Sequence, residues 1–447
     1  MKMKIRSAIA VICILLCALI LLPSCEIAST GGVTDAKINE KGELVLYYAD
    51  GSEQNLGVVV GQNGADGENG ADGVGSSVGT IVINSEKSNI SAASAKGLSN
   101  AVSIICKFKA TVQSGGSWRP GSSNTTVKDY SASGSGVIYK LDKAAGDAFV
   151  ITNYHVVYDA SSNTENGISE DISVYLYGAE SDEMAIKADY VGGSLYYDIA
   201  VLRIEDSEIL KKSSVTVVEI ADSDEVTVGD NAIAIGNAQG YGISASLGIV
   251  SVDSEYITMT AADERTSVSF RVMRIDTAVN SGNSGGGLYD DEGNLIGIVN
   301  AKIVEDGVEN IGYAIPSNVA TSIADNIIDY CYGTDTERVQ RALIGIKVNT
   351  SNSKAFYDSQ TGRFEIKETV SVDEVSKGSL SDGILEVGDV LLSVTIGENV
   401  TEIARQHHVI DMMLDVRVGD VVSFRIMRGD EEKTVSITIT EDCLTAY

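Results

Sequence analysis

Proline is nearly missing from this chain, with three in 447 residues. That rules out proline-rich linkers and a stable collagen-type helix, although glycine is plentiful at 45. Positive charge is also short. Lys and Arg number 33 against 63 Asp and Glu, a net charge of −30, and so acidic a surface repels phosphate backbones, which excludes a nucleic-acid partner. Cysteine is scarce and poorly placed for pairing. Cys13 and Cys17 fall in an N-terminal apolar run and Cys25 follows it, leaving Cys106, Cys331 and Cys443 in distant segments. These read as plain thiols, not as a disulfide framework. With three histidines in all, no His/Cys cluster has metal-ligand spacing, so neither a metal nor a cofactor is expected.

What is present begins with an address. Lys2, Lys4 and Arg6 precede the apolar stretch Ser7 to Leu22, the pattern of a secretory signal over residues 1–24. Leu22-Pro23-Ser24-Cys25 resembles a bacterial lipobox with Cys25 as the lipidation site. Two acyl chains there would tether the mature chain to a membrane, outside the cytoplasm. Residues 35–60 alternate apolar and polar side chains about Asp50-Gly51, as a β-hairpin does. Then "GQNGADGENGADG" repeats glycine every third residue without proline, which suits a hydrated spacer. The whole of 25–94 would reach roughly 45 Å as a random coil.

Residues 95–335 carry many short β-rich runs between turn signals, among them "AVSIICKFK", "IAVLRI" and "NAIAIG". Such numerous short strands indicate a barrel or sandwich. Pro316 opens one clear helix, "PSNVATSIADNIIDYCYG". Residues 340–443 differ, mixing strands with a helical "EIARQHHVIDMMLDV", and form a separate domain.

The chemistry concentrates in "DTAVNSGNSGGGLYD", where Gly282, Gly285, Gly286 and Gly287 crowd around Ser284. Ordering glycine costs backbone entropy, so the backbone there must come close to something. Gly282-Asn283-Ser284-Gly285-Gly286 satisfies the G-x-S-x-G pattern of a nucleophile elbow, but an elbow leads into a helix and has its histidine downstream. Here a hairpin-like segment follows, and His407 and His408 lie in the other domain. The partner is therefore upstream: His155 in "VITNYHVVYDA", then Asp198 ahead of an apolar strand. His155, Asp198 and Ser284, in that order, can form a catalytic triad.

With these residues the chain resembles the HtrA/Deg-type trypsin-like serine proteases that carry a C-terminal PDZ domain. The matching segments are "GSGVI", "TNYHVV", "DIAVL", "GDNAIAIGNAQG", "GIVS", "DTAVNSGNSGGGL", "IGIV" and "IGYAIP", and the likeness runs from about residue 98 to 442. It implies a mainly β fold, a chymotrypsin-like double β-barrel followed by an α+β PDZ domain. It implies an oxyanion hole around Gly282, Asn283 and Ser284, and a specificity pocket at Ala278, Ile311 and Tyr313. Residues 277–281 and 301–310 correspond to loops that assemble the site, and the 112–133 segment with Trp118 to a variable loop. In the second domain Ile344, Gly345 and Ile346 would take a peptide C-terminus. A homotrimer acting on unfolded or signalling proteins is implied as well. Gly287 departs from the family, which usually has proline there, and the exchange would loosen the turn. The competing readings are a catalytically silent chaperone or binding protein on the same fold, and a lipid-anchored adhesin.

Overall fold

The computed structural model describes residues 33–38, 43–48, 51–58, 90–114, 124–301, 311–334 and 336–446. The signal, Cys25, the glycine triplets, Trp118 and the 302–310 loop lie outside the described residues.

The N-terminal unit contains a three-stranded antiparallel sheet of β1 (Val33–Ile38), β2 (Glu43–Tyr48) and β3 (Glu53–Val58). The expected hairpin is its β2–β3 half. Val33 to Ile38 adds the third strand, pairing Ile38 with Leu44.

The first described element of the second unit is a helix, Ile90–Leu98. The spacer expected through residue 94 therefore stops earlier, because Ala93 and Gly97 of this helix are buried. Gly97 fits where it does because it lacks a side chain: a Cβ there would lie 2.5 Å from Ile235 Cδ1.

Two closed barrels follow. The first uses β4 (Ala101–Ser114), β5 (Asn124–Asp142), β6 (Asp147–Thr152), β7 (Asp171–Leu176), β8 (Ile186–Ser194) and β9 (Ile199–Ile204), in spatial order β4-β5-β6-β9-β8-β7. The second uses β10 (Asn231–Gly236), β11 (Ser244–Thr260), β12 (Ser267–Ile275), β13 (Gly287–Tyr289), β14 (Leu295–Val299) and β15 (Gly312–Pro316), ordered β10-β11-β12-β15-β14-β13. The two orders are the same. Much of the segment expected as a 112–133 loop is in fact ladder, since β4 and β5 pair from Ala101↔Val137 out to Ser114↔Asn124.

Each barrel is filled by β-branched and aliphatic side chains, Val102, Ile104, Val150 and Leu202 in the first and Ala234, Val250, Met273 and Leu288 in the second. A third cluster joins them, with Ile151, Val201, Ile233, Phe270 and Tyr289 packed together. The helix Ser317–Cys331, as the sequence predicts, lays Ala320, Ile323, Ala324 and Ile327 on that cluster at helical spacing.

The C-terminal sheet runs in the order β17-β18-β19-β21-β22, from β17 (Ile346–Asp358), β18 (Arg363–Val375), β19 (Val390–Ile396), β21 (Val421–Arg428) and β22 (Glu431–Thr438). β20 (Asn399–Glu402) pairs with β19, while β16 (Gln340–Ala342) pairs with β23 (Leu444–Ala446). The expected 402–416 helix shrinks to Gln406–Asp411 plus a 3-10 turn over Met412–Leu414. Val409, Met412 and Met413 are the part that reaches the core beneath the sheet.

Candidate active site

His155 sits in a four-residue helical turn, Tyr154–Val157, directly after β6. Asp198 lies between β8 and β9 with φ of 56°, a left-handed backbone that aspartate tolerates better than most side chains. The carboxylate is buried, and N–H groups surround it. Oδ2 faces His155 Nδ1 at 2.6 Å and accepts from Asn300 Nδ2 at 2.8 Å, while Oδ1 accepts from the His155 N–H at 2.9 Å. Asn153 Nδ2 donates to the Asp198 carbonyl at 2.8 Å. Such a carboxylate can hold His155 in one tautomer, with Nε2 left to accept a proton.

Ser284 arrives from the second barrel, on the turn between β12 and β13. That turn packs against the His155 segment. A Cβ on Gly134 would touch Val156 at 2.6 Å and the Ser284 carbonyl at 3.2 Å, and one on Gly285 would lie 2.3 Å from Thr152 Oγ1. The crowded glycines are thus required by the protein's own backbone. Gly282, with φ of 96°, would bring a Cβ to 2.2 Å from the Asn237 carbonyl, and Gly286 would bring one to 2.3 Å from that of Ile235.

The N–H groups of Gly282 and Ser284 donate to no described residue, so they are free to meet an oxyanion. Asn283 is different. Its N–H donates to the Asn280 carbonyl at 3.0 Å and its own carbonyl accepts from Gly286 at 2.9 Å, so its backbone N–H is already engaged within the turn.

The expected pocket residues are partly rearranged. Ala278 is exposed, and its carbonyl accepts from Ser246 Oγ at 3.1 Å. Ile311 is half-buried beside Gly312. Tyr313, however, packs on the core between the barrels, and it is Gly312 that faces Val279, a Cβ there lying 2.8 Å from Val279 Cγ2. Successive side chains along β15 point to opposite faces, so positions 312 and 313 face different ways. Gly287 is closely packed. It makes room for the buried Tyr289 ring, which a Cβ would meet at 2.4 Å, and Tyr289 Oη is 2.5 Å from Asn100 Oδ1.

In the C-terminal sheet, Ile344 is buried, Gly345 has φ of 82°, and Ile346 begins the edge strand β17. The Ile344 and Gly345 carbonyls accept from Ser381 at 3.1 Å and Ser376 at 2.8 Å, and among the described residues β17 pairs with β18 on one side only.

Sequence reasoning missed Asn300, and the one available signal was a polar residue closing the buried run "IGIV". It also missed a charged cluster between the second barrel and the C-terminal domain. Arg271, 2% exposed, reaches Asp224 Oδ1 and Asp411 Oδ2, each at 2.8 Å, and Arg405 pairs with Asp253. Burial pushes Asp411 up to about 6, against the pull of Arg271. Burial also pushes His407 down to about 3, despite the Asp224 carboxylate 3.6 Å from its Nε2. Asp224, His407 and His408 bring three ligand-type atoms within 4.8 Å of one another. The Arg271 guanidinium already occupies the carboxylate a cation would need.

Two six-stranded barrels, one carrying an imidazole–carboxylate pair and the other a glycine-bound serine, define the trypsin-like class of serine proteases. Residues 134–298 match the trypsin-like peptidase domain family. The chain is 32% identical over 327 residues to the serine protease Do-like HtrA of Bacillus subtilis (strain 168), covering 72% of this chain and 66% of that one. It is 32% identical over 337 residues to the serine protease Do-like HtrA of Lactococcus lactis subsp. lactis (strain IL1403), covering 72% and 73%. Among solved structures, the HtrA-type protease AlgW with decapeptide is 24% identical and covers 79% of this chain and 98% of that chain, with a TM-score of 0.47. The chain belongs to the HtrA family of Do-like serine proteases, and it is a serine endopeptidase.

Proposed function

We propose that Ser284 attacks the scissile carbonyl of protein substrates while His155 takes its proton and later delivers it to the leaving amine. Asp198 fixes the imidazole tautomer and stabilises the imidazolium that forms. The Gly282 and Ser284 N–H groups then receive the oxyanion. The observation that carries this reading is the 2.6 Å contact between His155 Nδ1 and Asp198 Oδ2 beside two backbone N–H groups left without a described partner.

Substrate preference follows from what lies near Ala278, Val279 and Gly312. No carboxylate is among these residues, and burying an unpaired cation is costly, so small to medium apolar residues precede the cleaved bond. Selectivity among them is modest, because one methylene is worth about 1–3 kcal/mol. Residues 340–443 act as a PDZ domain, with a peptide C-terminus adding to the β17 edge beside Ile344, Gly345 and Ile346. Cys25 carries the lipid that holds the enzyme outside the cytoplasm, and the protease domains work as a trimer on unfolded or signalling proteins.

Digestion of casein, with the products read by mass spectrometry, tests the reading. The native chain should cut mainly after Val, Ala, Ile or Leu, and Ser284→Ala should leave casein intact. Cleavage by the alanine variant at a comparable rate would refute the nucleophile, and cleavage mainly after Lys or Arg would refute the pocket.

A further inference from the structure

Ser135 is fully buried on β5 in the first barrel, yet its polar atoms serve the catalytic turn of the second. Its hydroxyl donates to the Gly282 carbonyl at 2.6 Å and accepts from the Asn237 N–H at 2.8 Å. Its N–H donates to the Ser284 carbonyl at 2.8 Å, and its carbonyl accepts from Thr152 Oγ1 at 2.7 Å. One residue thus reaches the nucleophile's own carbonyl, the peptide between the two oxyanion donors, and the neighbouring 237–239 turn.

Each donor N–H is aimed by the carbonyl of its own peptide. The Gly282 N–H shares a peptide with the Ser281 carbonyl, which accepts from Gln239 at 2.7 Å. The Ser284 N–H shares one with the Asn283 carbonyl, which accepts from Gly286 at 2.9 Å. Gln239 can reach Ser281 because its turn is pinned at Asn237, by Ser135 Oγ on the N–H and by Ser103 Oγ at 2.6 Å from Nδ2. Between the two aimed peptides lies Gly282–Asn283, and Ser135 Oγ is what holds its carbonyl. Gly282, with φ of 96°, belongs to the residue type with the most alternative backbone conformations, so this joint needs an external clamp.

We propose that Ser135 is a positioning residue for the oxyanion hole: its hydroxyl bridges Gly282 and Asn237 and so keeps the Gly282 and Ser284 N–H groups converged on one point. The role presupposes the serine-endopeptidase reading above. Activity of the native chain tests that reading by itself, and only the ratio of variant to native tests the role of Ser135.

The experiment uses the full chain with Ser135→Ala and Ser135→Cys, the second keeping the size but offering a weaker donor. Rates on a peptide substrate are expressed per active site titrated by a fluorophosphonate. Affinity is also measured for a peptide trifluoromethyl ketone, which forms a tetrahedral oxyanion at Ser284. Ser135→Ala should lower kcat about 10- to 100-fold with KM within about twofold, and ketone affinity should fall in parallel. Ser135→Cys should fall between alanine and native. If Ser135→Ala does not fold, the cysteine variant must show the same kcat-selective loss. Native kcat per titrated site in whichever variant folds would overturn the proposal, and so would a loss of kcat with ketone affinity unchanged.

Discussion

The two barrels share one strand order, yet they bring different chemistry to the cleft. The first contributes side chains, the hydrogen-bonded His155 and Asp198, which the proposed mechanism uses for their charge and proton affinity. The second contributes mostly backbone: a serine on a glycine turn in which the Gly282 and Ser284 N–H groups donate to no described residue, with Asn300 reaching over to Asp198. A side-chain pair has to be buried and saturated with donors to hold one geometry, and Asp198 accepts from His155 twice and from Asn300 once. A backbone site has to be clamped through carbonyls, which is why close packing of the Gly282–Gly286 turn against Asn237, Ile235 and Thr152 matters more there than charge.

Breaking the first barrel's contribution should have the largest effect. Asp198→Asn keeps the shape but favours the wrong imidazole tautomer, and should cut kcat about 10^4-fold with little change in fold. Peptide kinetics alongside circular dichroism would check this. Asn300→Ala tests the support given across the cleft. A hydrogen bond to a charged group is worth about 1.5–3 kcal/mol, so kcat should fall about 10- to 100-fold with KM nearly constant. An effect as large as that of Asp198→Asn would mean that Asn300 does more than orient the carboxylate.

The third comparison sets the barrels against the domain packed on the second of them. Burial holds His407 down to about 3, below its ordinary 6.5. Between those values the unfolded chain binds the extra proton, so this group makes stability rise with pH. Asp411 works in the opposite sense. Burial pushes it up to about 6 from an ordinary 3.8, the folded chain holds the extra proton, and stability falls as pH rises through that window. The two trends offset each other between about pH 4 and 6. Asp411→Asn should therefore gain stability from pH 4 to 6 and His407→Gln should lose it, each by at most about 1.4 kcal/mol per pH unit. Thermal unfolding at several pH values decides this, and parallel curves for the two variants would contradict it.

The smallest effect is expected at Gly287. Gly287→Ala puts a methyl against the Tyr289 ring and should cost about 1–3 kcal/mol of stability while leaving kcat per active site nearly unchanged. A more stable alanine variant would show that this turn is looser than its packing suggests.

Much of this site can be read from the sequence because its parts are local. The strand runs, the short motifs around His155, Asp198 and Ser284, and the glycine cluster each leave a mark within a dozen residues. What could not be read depends on contacts between distant segments. Ser135 meets Gly282 across 147 positions and Asn300 meets Asp198 across 102, with no periodicity to announce either. The Ile90–Leu98 helix escaped notice because its small-residue sequence resembles a linker until Ile235 and Tyr289 are seen packed against it. The packing of Tyr313 on the cluster between the barrels, and of Gly312 toward Val279, likewise depends on segments far apart in sequence. The Arg271 cluster joins residues from three parts of the chain, and in each part alone they look like ordinary surface charge.

The most direct test of the account is the site of covalent labelling by a fluorophosphonate. Incubation of the native chain, followed by peptide mapping, should place one adduct on Ser284, and His155→Ala should slow its formation by orders of magnitude. No adduct on Ser284 in a chain that still cleaves casein, or labelling at the native rate without His155, would contradict the central claim.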